Sequence, residues 1–289
     1  MISAIVVSLA ATACGTIEGP LLREADGGTG VSISPSGADA QVPTGDSTRP
    51  ADDRDVALAR IHSEMRMHYQ ITGTPSLDAA GDLFVLDLFD APLHEIAALR
   101  ARGRVVVAYL SAGSLEPWRP DADDFPEQAV GARLSAYPNE RWLDIRHPAV
   151  RAVMQERLQL ARDKGFDGIY PGALDAYRSQ SGFALSERDQ LDYDLFLAGA
   201  ARSLGLSPGM SSDFSLDAQL IDAFDWAIAF GCFAADSCET LGPWVGRSKP
   251  MFDLEQQGEL SELCPRASAL GIRVVMKEPS ASVWSRSCP

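Results

Sequence analysis

Residues 141–172 read RWLDIRHPAVRAVMQERLQLARDKGFDGIYPG. The stretch opens on a short apolar run, Trp142–Ile145. Pro148 stands where a helix places its N1 residue, because the N–H that proline lacks would be unpaired there in any case. Val150, Val153, Met154, Leu158 and Ala161 recur at helical spacing and make one apolar stripe. Lys164 and Gly165 end the helix: a cation suits its carbonyl end, and glycine takes the left-handed turn beyond. A second apolar run follows at Gly168–Tyr170. Strand, helix and strand in succession make a βαβ unit, whose two strands must be parallel.

The same alternation extends in both directions. Towards the N-terminus lie strand-like runs at Met67–Ile71, Leu83–Leu88 and Val105–Leu110. Towards the C-terminus lie Leu206–Met210, Trp226–Phe230, Met251–Leu254 and Ile272–Met276. Several are apolar almost throughout, as strands buried on both faces are. Between two of them, Ser186 and Asp189 have the spacing of a helix cap, and Leu191, Leu195 and Ala198 are read as its inward face. Nine candidate strands over this length suit a (β/α)8 barrel of the TIM type with one spurious or additional strand. A doubly wound open sheet is the alternative, but no G-x-G-x-x-G follows the first strand, so a dinucleotide site has no support.

The chain has 289 residues and a formal net charge of −15. Such a charge disfavours nucleic acid and anionic membrane surfaces and attracts cationic ligands. MISAIVVSLAATACG at the start reads as the apolar core of an export signal followed by small residues. It is too short to span a bilayer permanently. Ala11-Thr12-Ala13-Cys14 resembles a bacterial lipobox, which implies lipidation of Cys14 and a membrane anchor, ahead of simple secretion. Residues 15–53 are rich in Gly, Pro, Ser, Thr and Asp and read as a flexible tether, which leaves one folded domain at 60–289. Four cysteines lie in that domain and allow three pairings. Cys232 and Cys238 can close a tight loop, and Cys264 with Cys288 would then tie down the C-terminal segment. No metal or cofactor is expected, since the cysteine spacing fits no common zinc pattern and no histidine lies near.

In a barrel of this kind the chemistry sits at the C-terminal ends of the strands. Those ends carry YLSAGSLEPWRPD (109–121), RWLDIRHPAVR (141–151) and KGFDGIYP (164–171), followed by Asp175-Ala176-Tyr177 and Ser181-Gly182-Phe183. In this order the segments resemble glycoside hydrolase family 114, the endo-α-1,4-polygalactosaminidases, from about Tyr69 to Glu255. The resemblance implies a barrel fold and a galactosamine-rich, partly cationic polysaccharide as partner. It also matches the spacing of the Cys232–Cys238 loop.

The departures fall at polar strand ends. Where the family has Asp-Pro-Asp-Asn this chain has Tyr170-Pro171-Gly172-Ala173, and where it has Asn-Glu-Gln-Cys this chain has Ala229-Phe230-Gly231-Cys232. The resemblance would place the catalytic pair at the first Asp and at the Glu, positions held here by Tyr170 and Phe230. Tyr-Asp-Ile-Asp is Phe84-Val85-Leu86-Asp87, and Leu-Lys-Asn-Asp is Met210-Ser211-Ser212-Asp213. Glycoside hydrolysis ordinarily needs two carboxyl groups flanking the bond, although a tyrosine can serve as nucleophile beside a base. The expectation is therefore a glycan-binding barrel with little or no hydrolytic activity. Asp213 and Glu255 are the candidate displaced catalytic pair, and Asp87, Tyr109, Glu116, Asp213 and Glu255 the candidate substrate-binding residues. Tyr109, Trp118, Tyr170, Tyr177 and Phe230 are candidate stacking aromatics. Asp144–Arg146 is read as an internal ion pair, Asp167 as a packing residue and Arg119 as a brace for its loop. An active hydrolase with displaced carboxylates and a structural envelope lipoprotein are the alternatives. A monomer is expected.

Overall fold

The computed structural model describes residues 61–211, 216–277 and 285–288. Cys14, the 15–53 tether and Asp213 lie outside them. The elements run β1 (Met67–Gln70), β2 (Leu83–Asp87), α1 (Leu93–Ala101), β3 (Val105–Ser111), β4 (Ser114–Leu115), β5 (Val130–Arg133), β6 (Arg141–Leu143), α2 (Pro148–Lys164), β7 (Gly168–Gly172), α3 (Glu187–Ser203) and β8 (Ser207–Ser211). The second half continues with α4 (Asp217–Leu220), β9 (Trp226–Phe230), α5 (Gly242–Gly246), β10 (Met251–Glu255), α6 (Leu260–Leu270), β11 (Ile272–Lys277) and β12 (Ser285–Ser287).

Eight strands pair in parallel in the order β1-β2-β3-β7-β8-β9-β10-β11, which is the (β/α)8 architecture the alternation implied. Strand parity explains why their sequences are apolar throughout. Met67, Tyr69, Leu83, Val85, Val105, Val107, Tyr170, Trp226, Ile228, Phe252 and Leu254 form one buried cluster inside the barrel. Their neighbours Phe84, Leu86, Val106, Ala108 and Ile169 point outward and pack with Ile96 and Leu99 of α1 and Met154 and Leu158 of α2. Inside, Gly209 makes room for the large indole of Trp226: a Cβ there would stand 2.4 Å from its ring.

Helix α2 is as read from the sequence. Its buried side chains include Val150, Val153, Met154, Leu158 and Ala161, and Gly165 ends it at φ 84°. Ser186 and Asp189 form the capping box of α3. The inward face of α3 is a correction. Ala198 is buried and Leu191 packs against the core, but Leu195 is exposed, and the other buried positions are Gln190, Tyr193, Asp194, Leu197 and Ala201. Gln190 Nε2 donates to Asp194 Oδ1 at 2.8 Å, and Tyr193 Oη donates to the Ala112 carbonyl at 2.6 Å. Polar side chains bonded to one another are buried here too, so the apolar stripe alone does not give the whole buried face.

Trp142–Ile145 is the strand that does not belong to the barrel. Its β6 pairs antiparallel with β4 and β5 in a small sheet inserted after β3. Barrel closure comes from β12, absent from the sequence reading. It pairs antiparallel with β11, placing Val275 opposite Ser287. Ser287 Oγ donates to the Met67 carbonyl at 2.9 Å, and Ser285 Oγ lies 2.8 Å from His68 Nδ1. Thus β12 fills the gap between β11 and β1. Cys264–Cys288 fastens it to α6, and Cys232–Cys238 closes the loop after β9. No helix among the described residues is long and apolar enough to cross a membrane.

Candidate functional site at the C-terminal mouth of the barrel

Asp87, Tyr109 and Tyr170 stand in register at the C-terminal ends of β2, β3 and β7. Asp87 is turned onto Arg119, which donates Nη1 to Oδ1 at 2.9 Å and Nη2 to Oδ2 at 2.5 Å. The same guanidinium donates Nε and Nη2 to Glu116 at 2.8 and 3.0 Å. All three side chains are buried. Asp87 also accepts the backbone N–H groups of Phe89 and Asp90. Burial alone would push the Arg119 guanidinium down, but the hydrogen bonds and charges of Glu116 and Asp87 outweigh it and hold it above its ordinary value. Arg119 therefore braces its loop, as the sequence suggested, and occupies both carboxylates in doing so. The Asp144–Arg146 pair also forms, at 2.9 Å, and Asp167 accepts the Val106 N–H.

Tyr170 is 1% exposed, and its ring stacks on Trp226 with centroids 5.8 Å apart. Its hydroxyl finds no hydrogen-bond partner, and burial raises its pKa well above that of an ordinary phenol. A nucleophilic tyrosine needs a base beside it and access to the substrate; Tyr170 has neither. Phe230 is 54% exposed and meets Tyr69 edge-on at 6.4 Å, across the barrel end. Tyr177 packs against the outer core rather than at the mouth.

Glu255 departs from the expectation. On β10 the inward positions are Phe252 and Leu254, so Asp253 and Glu255 face out, fully buried beneath the loop after β9. Glu255 Oε1 accepts the N–H groups of Phe233 at 2.7 Å and Ala234 at 3.2 Å, and Asp253 Oδ1 accepts that of Cys232 at 3.2 Å. Glu255 thus anchors the disulfide loop and takes no place in the cleft. Asp253 Oδ2 and Glu255 Oε2 lie buried with no partner other than each other's carboxyl. Desolvation, with the neighbouring Glu255 carboxyl, pushes Asp253 up to about 7, so that it keeps a proton to share. The grouping of Cys232, Cys238 and Asp253 has metal-ligand atoms close together, but its two sulfurs are bonded to each other.

The open space at the mouth is a cleft of about 850 Å³, lying between the ends of β1, β2 and β3 and the inserted sheet. Asp87, Tyr109, Glu116 and Trp118 line it as the sequence indicated. Glu140 and Tyr137, from the turn between β5 and β6, were missed. The signal was a polar turn, Tyr137-Pro138-Asn139-Glu140, between two short extended runs. Glu140 is raised above an ordinary carboxyl by burial and the charge of Glu116, while the Ser114 hydroxyl, donating at 2.5 Å, partly offsets this. Five carboxylates, on Asp87, Asp90, Glu116, Glu140 and Asp175, face two guanidiniums, on Arg119 and Arg133, so the cleft favours a cation.

A (β/α)8 barrel with an acidic cleft at the C-terminal face of its strands is an architecture that glycoside hydrolases use. The chain belongs to glycoside hydrolase family GH114, whose family model matches residues 48–289. Among solved structures it is similar to Ega3 of Aspergillus fumigatus, determined in complex with galactosamine. The two are 28% identical over 79% of this chain and 97% of that one, with a TM-score of 0.75. The glycoside hydrolase domain of PelA from Pseudomonas aeruginosa shares the fold at 17% identity, covering 76% of this chain and 97% of that one, with a TM-score of 0.61. No curated protein matches the chain significantly.

Proposed function

We propose that this protein is an exported glycan-binding barrel that holds a galactosamine-rich, partly cationic polysaccharide in its acidic cleft and hydrolyses it little or not at all. One observation carries the reading: the two strand-end positions at which the family resemblance expects carboxyls hold Tyr170, buried on Trp226, and Phe230. Asp87 and Glu116, the buried carboxylates that line the cleft, are both engaged by Arg119. Neither is free to donate a proton or attack an anomeric carbon. Loss of one general acid or base typically lowers a rate about 10²–10⁴-fold, and here both family positions lack a carboxyl. The excess of carboxylates in the cleft still suits protonated amino sugars.

The test pairs a reducing-end assay with titration calorimetry on partly deacetylated α-1,4-galactosaminan, beside a family member that keeps both carboxyls. Binding without turnover is expected. Turnover within about tenfold of the control overturns the reading. Glu140 supports a second reading, since its raised pKa suits a general acid. Turnover abolished by Glu140→Gln would select it. The export route proposed from the N-terminal sequence is an anchor at Cys14. Cys14→Ser should move the protein from the membrane to the soluble fraction, and an unchanged distribution refutes the anchor.

A further inference from the structure

Phe230, Trp118 and Tyr137 are 54, 55 and 62% exposed, and they are three of the five large apolar side chains that stand out into solvent among the described residues. All three stand at the mouth. Trp118 and Tyr137 line the acidic cleft. Phe230 leans across the barrel end to Tyr69 on β1, the strand that continues into Ile71 and Thr72 of the cleft wall. Packing does not account for this exposure. Parity aims residue 230 inward like Trp226 and Ile228, yet those two are fully buried while the phenyl ring keeps half its surface in water. Tyr170, Trp226 and Phe252 already fill the interior beneath it.

From this geometry we infer that Phe230 is a stacking platform for a further sugar unit, so that a glycan chain seated in the cleft continues over the barrel axis onto its ring. The inference deepens the proposed function and rests on it. An aromatic ring offers an apolar face for the C–H surface of a pyranose. The same face attracts a cation within about 6 Å of its centroid, as the ammonium of an amino sugar would be. Ligands that fill the cleft alone do not reach Phe230, whereas longer chains do.

The experiment measures affinity by calorimetry for a short α-1,4-linked galactosamine oligomer, a disaccharide, and for a long one that outreaches the cleft. Wild type should bind the long oligomer more tightly. Phe230→Ala should weaken the long oligomer by about two- to tenfold, the range expected for one aromatic contact, and leave the disaccharide unchanged. Phe230→Trp should restore the difference, whereas Phe230→Leu, apolar but without a flat face, should not. The inference is overturned if long and short oligomers bind alike, if Phe230→Ala affects both equally or neither, or if leucine restores affinity. Wild type binding neither oligomer defeats the proposed function together with this inference. Binding of both, with Phe230 indifferent, defeats this inference alone.

Discussion

The ring of Tyr170 lies on the indole of Trp226 at 5.8 Å, with 28° between their planes, in the middle of the barrel. The phenol oxygen at its edge has no partner. A buried hydroxyl without a hydrogen bond costs about 1–3 kcal/mol. Tyr170→Phe should therefore raise stability by about 1 kcal/mol, or about 2–4 °C in melting temperature. Tyr170→Asp should lower it by about 3 kcal/mol or more, because a carboxyl would enter the same dry stack. Thermal unfolding of the two variants checks both directions. A loss on Tyr170→Phe would show that the hydroxyl is bonded.

Arg119 holds two buried carboxylates, and removing it strands both. Arg119→Met should destabilise the fold by about 3–5 kcal/mol at neutral pH, the range for breaking a buried ion pair from one side. Denaturant titration of the variant beside wild type checks this, and a loss below about 1 kcal/mol, the level of an exposed pair, contradicts it.

Asp253 ordinarily would titrate near 3.8 but is pushed up to about 7 in the fold by burial and by Glu255. Between those values the folded chain holds a proton that the unfolded chain has released. The stability this proton contributes is full below the lower value and is lost as pH rises towards the higher one. Asp253→Asn keeps an acceptor for the Cys232 N–H and a donor for Glu255 without the titration. It should flatten the stability profile between about pH 4 and 7 and exceed wild type at pH 8. A variant whose slope matches wild type would place the shared proton elsewhere.

The two disulfides close loops of different length, with sequence separations of 6 and 24. Chain entropy alone then assigns about 2 kcal/mol to Cys232–Cys238 and about 3 kcal/mol to Cys264–Cys288. Paired serine substitutions, followed by unfolding, should rank them in that order. Peptide mapping without reduction should recover these two pairings. A reversed ranking would mean that loop anchoring by Asp253 and Glu255 dominates.

Much of the barrel was legible because strand and helix periods are local. Pro148 and Gly165 bounded a helix, and the apolar runs beside it had no polar face to show to water. What stayed hidden depended on partners distant in sequence. Ser285–Ser287 has no strand-like apolarity, since its role is to bond Met67 and His68 from the barrel rim. The burial of Gln190 and Asp194 follows from their bond to each other. For the candidate site, Asp87, Tyr109 and Glu116 were read from the segments at strand ends and do line the cleft, whereas Glu140 was not read, because a hairpin from another segment carries it in. Glu255 was misplaced although parity could have settled it: Phe252 and Leu254 claim the inside, so residues 253 and 255 must face out. Residue type at a strand end shows what chemistry is present, and only the facing of the strand shows where it is directed.

The closing strand also bears on how the chain matures. The rim contacts of β12 join residues 217 and 220 positions apart. Until residues 285–288 have emerged from the ribosome, β1 and β11 each present an unpaired edge, the kind of surface that recruits other chains. The ring is thus shut from its far end, by a segment held through Cys264–Cys288. In an oxidising compartment that bond works as a latch set after synthesis; where thiols stay reduced, the seam is held by the strand pairing and hydrogen bonds of β12 alone and opens more often. The covalent bond would then thin out an aggregation-prone open state of the barrel.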